Sequence, residues 1–221
     1  MAHSKFLNMV SKLPTPYDLE AVEVGFDRLK SAIYAKVGSS KDNVQLVEKA
    51  ETILKNRVVR NLLETIFGNS SYLSECIICD PGFFCDLIDN DPWKKINMLA
   101  EDLSQQTGHF QSELDLMRKL RIAKRRVSLT VAIADICKIW DLEQITWQLS
   151  RFADLALSIT LSHLLLVKAR QNIIELSDET NPEKDCGLVI LAMGKLGAFE
   201  LNYSSDIDLI ILYDAEKLSV K

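Results

Sequence analysis

Between residues 17 and 177 the chain shows no strand-like alternation, only helix after helix, and that pattern stops abruptly at residue 177. Helix punctuation is dense along this stretch. Asp18 can cap a first helix running toward Lys36, with Gly38-Ser39-Ser40 ending it. Helices are expected over residues 43–55 and 57–67, the second closed by Gly68. Ser70 or Ser71 starts another, and Asp80-Pro81 and Asp91-Pro92 each place proline at a first helical position. Two long helices follow, over about residues 110–135 and 142–176. In the last of these Leu149, Phe152, Ala156, Leu157, Leu161, Leu164 and Leu165 recur at spacings of three and four, the stripe of a helix packed in an all-α bundle.

After residue 177 the grammar changes. A polar, proline-containing connector occupies residues 177–185, and then two short continuous apolar runs appear at 186–193 and 207–213. Runs of that length bounded by turn residues suit strands buried on both faces. The expected fold is therefore mostly α, with a helical region over 1–177 and a small sheet beginning in 178–221.

Composition narrows the function classes. With 48% hydrophobic residues and a formal charge of −5, the chain is ordinary for a globular domain and unlike a disordered one. Mild acidity argues against a dedicated nucleic-acid binder, which carries a basic excess. The start of the chain is polar and broken by Pro14 and Pro16, unlike a signal peptide, and residues 155–167 are interrupted by Ser158, Thr160, Ser162 and His163. A soluble, cytoplasmic protein with reduced thiols is expected. Cys76-x-x-Cys79 has a zinc-like spacing, but no second pair completes four ligands. Cys76, Cys79, Cys85, Cys137 and Cys186 are read as core residues. Residues 118–126 (RKLRIAKRR) hold six basic side chains in nine positions and are read as a solvated helix surface.

The chemistry concentrates at residues 193–209, Met-Gly-Lys-Leu-Gly-Ala-Phe-Glu-Leu-Asn-Tyr-Ser-Ser-Asp-Ile-Asp-Leu. A first apolar run ends in Gly194, with Gly197 just beyond; glycine there lets backbone approach a ligand, and a following helical turn offers N–H groups to an anion. Asp206 and Asp208, two apart at a strand start, would share one face with Cβ atoms about 6–7 Å apart. At an effective dielectric of about 20 they would repel by about 2–3 kcal/mol, which a cation between them relieves. Mg²⁺ is held in this way by one or two carboxylates plus phosphate oxygens. An Asp-x-Asp pair alone is a common turn; joined to Gly194 and flanked by apolar strands, it points to a metal-assisted phosphoryl or nucleotidyl transfer site.

The spacing Gly-x(11)-Asp-x-Asp after a strand resembles the signature of the polymerase-β-like nucleotidyltransferase superfamily, with Lys195 where serine is usual. The longer string GKLGAFELNYSSDIDLIILYD is similar to the glutamine synthetase adenylyltransferases, also called adenylyl-removing enzymes, and so are the helices LRIAKRRVSLTVAIADICKIWDLEQITWQLSRFADLAL before it. That resemblance implies a mixed α/β sheet of which two strands are present. It implies removal of AMP from a glutamine synthetase tyrosine by phosphorolysis to ADP, and, in the full protein, addition of AMP from ATP. It assigns divalent metal to Asp206 and Asp208 and nucleotide phosphate to Gly194, Lys195, Gly197, Ser204 and Ser205, with glutamine synthetase as partner and a PII-type signalling protein as a further one. The superfamily's third carboxylate has no counterpart before Lys221, so a fragment with an incomplete active site is expected. Alternatives are an inactive binding or scaffolding fragment and a different nucleotidyltransferase.

Overall fold

The computed structural model describes residues 12–35 and 41–218. They form a mostly helical protein, as expected, with one small sheet. The order is α1 (Leu19–Tyr34), α2 (Lys41–Leu54), α3 (Arg57–Asn69), α4 (Ser71–Cys79), α5 (Pro81–Asp89), α6 (Pro92–Gln105), α7 (Glu113–Ile136), α8 (Leu142–Arg170), β1 (Leu188–Ala192), α9 (Gly194–Gly197) and β2 (Leu209–Tyr213).

Local chemistry sets the helix starts. Asp18 accepts from the Ala21 amide at 2.9 Å, Ser70 from Leu73 at 3.3 Å, Asp80 from Phe83 at 3.3 Å, and Asp91 from Trp93 at 2.9 Å. Helix ends are less local. The expected stop at Gly38-Ser39-Ser40 lies outside the described residues. Gly68 does not close α3 but lies buried inside it, because a Cβ there would stand 2.5 Å from the Pro16 ring. The last long helix stops at Arg170 rather than near Leu176: Asn172 takes a left-handed φ of 58° and the Ile173 amide bonds back to the Lys168 carbonyl at 3.0 Å.

The chain divides into two compact units. One combines the described residues up to Ile96 with Ser128–Asp141. Its core includes Leu29, Leu62, Leu63, Ile77, Phe84, Leu87, Ile88, Leu129 and Ile133, none more than 1% exposed. Phe26 and Phe67 meet edge to face at 5.3 Å where α1 passes α3. The other unit combines Asn97–Val127 with the chain from Leu142 onward. Here Leu103, Phe110, Leu116, Ala123 and Ile159 form one cluster, and Leu165, Ile174 and Cys186 form a second that seats the approach to β1. The connector is fastened to α8 by Glu183, which accepts from the Ser158 and Ser162 hydroxyls at 2.6 Å each.

The strands pair antiparallel, with Leu188 opposite Tyr213 and Ala192 opposite Leu209. They are not buried on both faces as their apolar runs suggest. Val189, Leu191, Ile210 and Leu212, which share one face by register, are 42–53% exposed. α8 also differs from expectation: it is long and apolar enough to cross a bilayer by length and composition, a test that core helices pass too. Four of the five cysteines are buried as expected; Cys79 is exposed, on the outer side of α4. Burial pushes the Cys85 thiol up to about 11 and the Cys137 thiol up to about 12, which keeps both protonated and inert at neutral pH. On α7, Arg118, Arg121 and Lys124 are exposed, while Lys119, Arg125 and Arg126 are half-buried. Arg118 and Lys119 pair with Asp115 at 3.2 and 3.4 Å.

Candidate active site

β1 delivers the chain to a tight turn. The pairing register continues one step past the ladder, since the Met193 amide donates to the Asp208 carbonyl at 2.8 Å. The backbone then turns at Gly194, whose φ is +54°, into the single helical turn α9. Both glycines are required, for different reasons. At Gly194 the left-handed backbone disfavours any side chain, and a Cβ would lie 3.3 Å from Asp208 Oδ2. At Gly197 a Cβ would stand 2.4 Å from the Ala192 carbonyl oxygen, so the turn folds back against the strand end only without a side chain.

The contact at Gly194 joins the two halves of the motif. Fourteen positions apart in sequence, Gly194 and Asp208 are neighbours at the open end of the β-ribbon, with Asp208 Oδ2 3.3 Å from where a Gly194 Cβ would stand. Asp208 comes just before β2 rather than within it, and Asp206 lies two residues further from the ladder. Both aspartates are exposed, as are Gly194, Lys195, Gly197 and Ser204; Ser205 is half-buried. The Ser205 hydroxyl is engaged by the side-chain oxygen of Asn202.

The loop between glycines and aspartates is held at several points. The Glu200 amide donates to the Lys195 carbonyl at 2.8 Å and Phe199 adopts a left-handed φ of 58°. Leu196 and Leu201 are the buried anchors, 3% and 7% exposed. The Leu201 amide donates to the hydroxyl of Ser150 on α8 at 3.1 Å. Nothing in the local sequence around Ser150 marks it for this role, because the partner is 51 residues away.

As a donor set, two carboxylates beside a glycine turn suit a hard cation whose other positions go to water and phosphate oxygen. Among the described residues no group of three or more His, Cys, Asp or Glu side chains is placed to hold a metal ion, so a closed all-protein cage is absent there. The arrangement can thus present a cation and a phosphate to each other at an open strand end; it does not enclose them.

Comparison with known proteins shows the family. The family profile described as glutamate-ammonia ligase adenylyltransferase matches residues 60–221. A bifunctional glutamine synthetase adenylyltransferase/adenylyl-removing enzyme of Bradyrhizobium is 36% identical over 171 residues, covering 77% of this chain and 17% of the relative. Proteins of the same description from Bartonella henselae and Rhodopseudomonas palustris are 37% and 38% identical, each over 70% of this chain and 16% of their own length. The chain thus spans about a sixth of the length of the curated relatives it matches. The matched residues contain the glycine turn, both aspartates and the helix that holds their loop, and the chain belongs to the glutamate-ammonia ligase adenylyltransferase family.

Proposed function

We propose that this chain contributes to a nucleotidyltransferase that controls glutamine synthetase by removing AMP from one of its tyrosines. The observation that carries the reading is the meeting of Asp208 with Gly194, which sets a carboxylate over the turn that would receive a phosphate. Asp206 and Asp208 would hold Mg²⁺, and Gly194, Lys195, Gly197, Ser204 and Ser205 would receive the phosphates of AMP, ADP or ATP. When bound, the cation supplies charge stabilisation at the phosphoryl oxygens. In phosphorolysis an oxygen of inorganic phosphate forms a bond to the AMP phosphorus, the bond from phosphorus to the tyrosine oxygen breaks, and the tyrosine takes up a proton while ADP leaves. The glycine turn lets the phosphate come close to backbone, and the exposed Lys195 ammonium adds a positive charge beside it. In the longer protein the reverse task, transfer of AMP from ATP, and a PII-type signalling partner complete the regulation of nitrogen assimilation.

The setting we infer is the cytoplasm, without membrane or nucleic acid. It is supported by the net charge of −5 and by α8, whose Ser150, Ser158 and Ser162 hydroxyls bond to protein partners. Turnover as we read it also draws on a further carboxylate supplied outside the described residues. That the described residues place no third donor beside the pair favours a second reading, in which the chain binds nucleotide or partner without catalysis.

Release of AMP groups from adenylylated glutamine synthetase, followed as ADP formed from phosphate, tests the first reading in the full-length protein. Asp206→Asn and Asp208→Asn should each lower the rate on the order of a hundredfold, the size of losing one charge-stabilising group. Undiminished deadenylylation in both variants would remove the aspartates from the mechanism.

A further inference from the structure

The long-range hydrogen bond from α8 to the motif loop has a polarity set by the helix. Ser150 is fully buried, and its hydroxyl donates to the Thr146 carbonyl one turn back at 2.9 Å. With the proton committed there, the oxygen's lone pairs face away from the helix axis and can only accept. What they accept is the amide of Leu201, itself the buried hinge of the loop, which reaches Asp206 five residues later. A serine whose single proton satisfies its own helix becomes a fixed acceptor for a neighbouring segment.

The rest of the loop makes that point decisive. Upstream, the turn is closed by Glu200 bonding to Lys195 and by the left-handed Phe199. Downstream, the Ser205 amide donates to the Asn202 carbonyl at 3.4 Å, and the Met193 amide donates to the Asp208 carbonyl at the strand end. The Asn202–Ser205 bonds are internal to the segment, whereas the Leu201–Ser150 bond ties it to α8. Leu201 therefore anchors the near end of the segment that ends in the two aspartates.

We propose that Ser150 is a positioning residue for Asp206 and Asp208: by holding the Leu201 amide it fixes the loop and so sets the affinity of the aspartate pair for a divalent cation. The inference rests on the reading that this pair binds metal. Ser150→Ala leaves a buried N–H without its acceptor and lets the loop detach. Thr160→Ala is the matched control, since Thr160 on the same helix bonds back to the Ala156 carbonyl at 2.7 Å.

Amide hydrogen exchange and Mn²⁺ titration of the 221-residue chain test it together. In the unaltered chain the Leu201 amide should be protected. In Ser150→Ala exchange over residues 201–208 should accelerate and the Mn²⁺ affinity should fall on the order of tenfold, the low end for residues that orient metal ligands. Thr160→Ala should change neither, and Asp208→Asn should lose Mn²⁺ without exposing the Leu201 amide. An unprotected Leu201 amide in the unaltered chain overturns the proposal, and so does Ser150→Ala with unchanged exchange and unchanged Mn²⁺ affinity. If the unaltered chain takes up no Mn²⁺, the metal reading fails, and Ser150→Ala exchange over 201–208 alone decides whether Ser150 holds the loop.

Discussion

At the scale of residues, the two glycines of the turn separate space from conformation. Gly197 is in an ordinary backbone region but has the Ala192 carbonyl oxygen where a Cβ would go; backbone cannot yield cheaply, so Gly197→Ala should destabilise by about 1–3 kcal/mol, the range for forced overpacking. A methyl group at Gly194 would sit tightly, 3.3 Å from an Asp208 carboxylate oxygen that can shift aside, but the left-handed φ there should make Gly194→Ala cost about 1–2 kcal/mol. Urea unfolding measures both. The discriminating readout is Mn²⁺ affinity, which Gly194→Ala should weaken more than Gly197→Ala because only the former crowds Asp208 Oδ2. The opposite order would show that the turn's contact with β1, not its contact with Asp208, governs the site. That the glycine turn and Asp208 come together could be read from sequence, because the two apolar runs that pair as strands directly flank them. The part of Ser150 could not, because a serine beside Leu149 in a helical stripe reads as any buried hydroxyl until the fold brings Leu201 to it.

At the scale of elements, short-range causes were readable and long-range ones were not. The caps at Asp18, Ser70, Asp80 and Asp91 form with residues two or three positions away, so their sequence signals hold. Gly68 reads as a helix stop, yet its role is to let Pro16 approach α3, a contact 52 residues apart. The apolar runs of β1 and β2 read as doubly buried strands because hydrophobicity alone cannot say which face has a neighbour.

Charges between elements lead to a pH prediction. Lys49 on α2 bonds Asp89 at 3.0 Å and Asp86 at 3.5 Å on α5, and Lys95 on α6 pairs with Asp86 from a site where its side chain is 12% exposed. Burial is the largest influence on Asp86 and disfavours its charge, but the Lys95 and Lys49 ammonium groups together outweigh it and hold the carboxyl below its ordinary 3.8. A folded value below the unfolded one means that stability is complete above about pH 3.8 and is lost as pH falls through the lower folded value. Asp86→Asn should therefore be less stable than the unaltered chain near pH 6, and the gap between their urea midpoints should narrow below pH 3.8. Parallel curves across that range would mean the cluster contributes nothing through ionisation.

At the scale of the whole molecule, an open apolar face and a modest net charge act against each other. Val189, Leu191, Ile210 and Leu212 present aliphatic surface on one side of the β-ribbon, a contiguous patch of the kind that associates unless charge keeps molecules apart. At pH 7 the formal charge of −5 supplies that repulsion, and it vanishes near the sequence pI of about 5.3. Light scattering should accordingly peak near pH 5.3 and fall toward pH 7.5, with added salt raising the signal at pH 7.5 by screening. Replacing Val189 and Leu212 together by threonine keeps the charge and the strand preference while halving the aliphatic face, so the peak should shrink without moving. A peak that survives the double substitution at full height would assign the association to another surface. No peak at all would mean that the exposed face of the ribbon is too small to overcome hydration even when repulsion is gone.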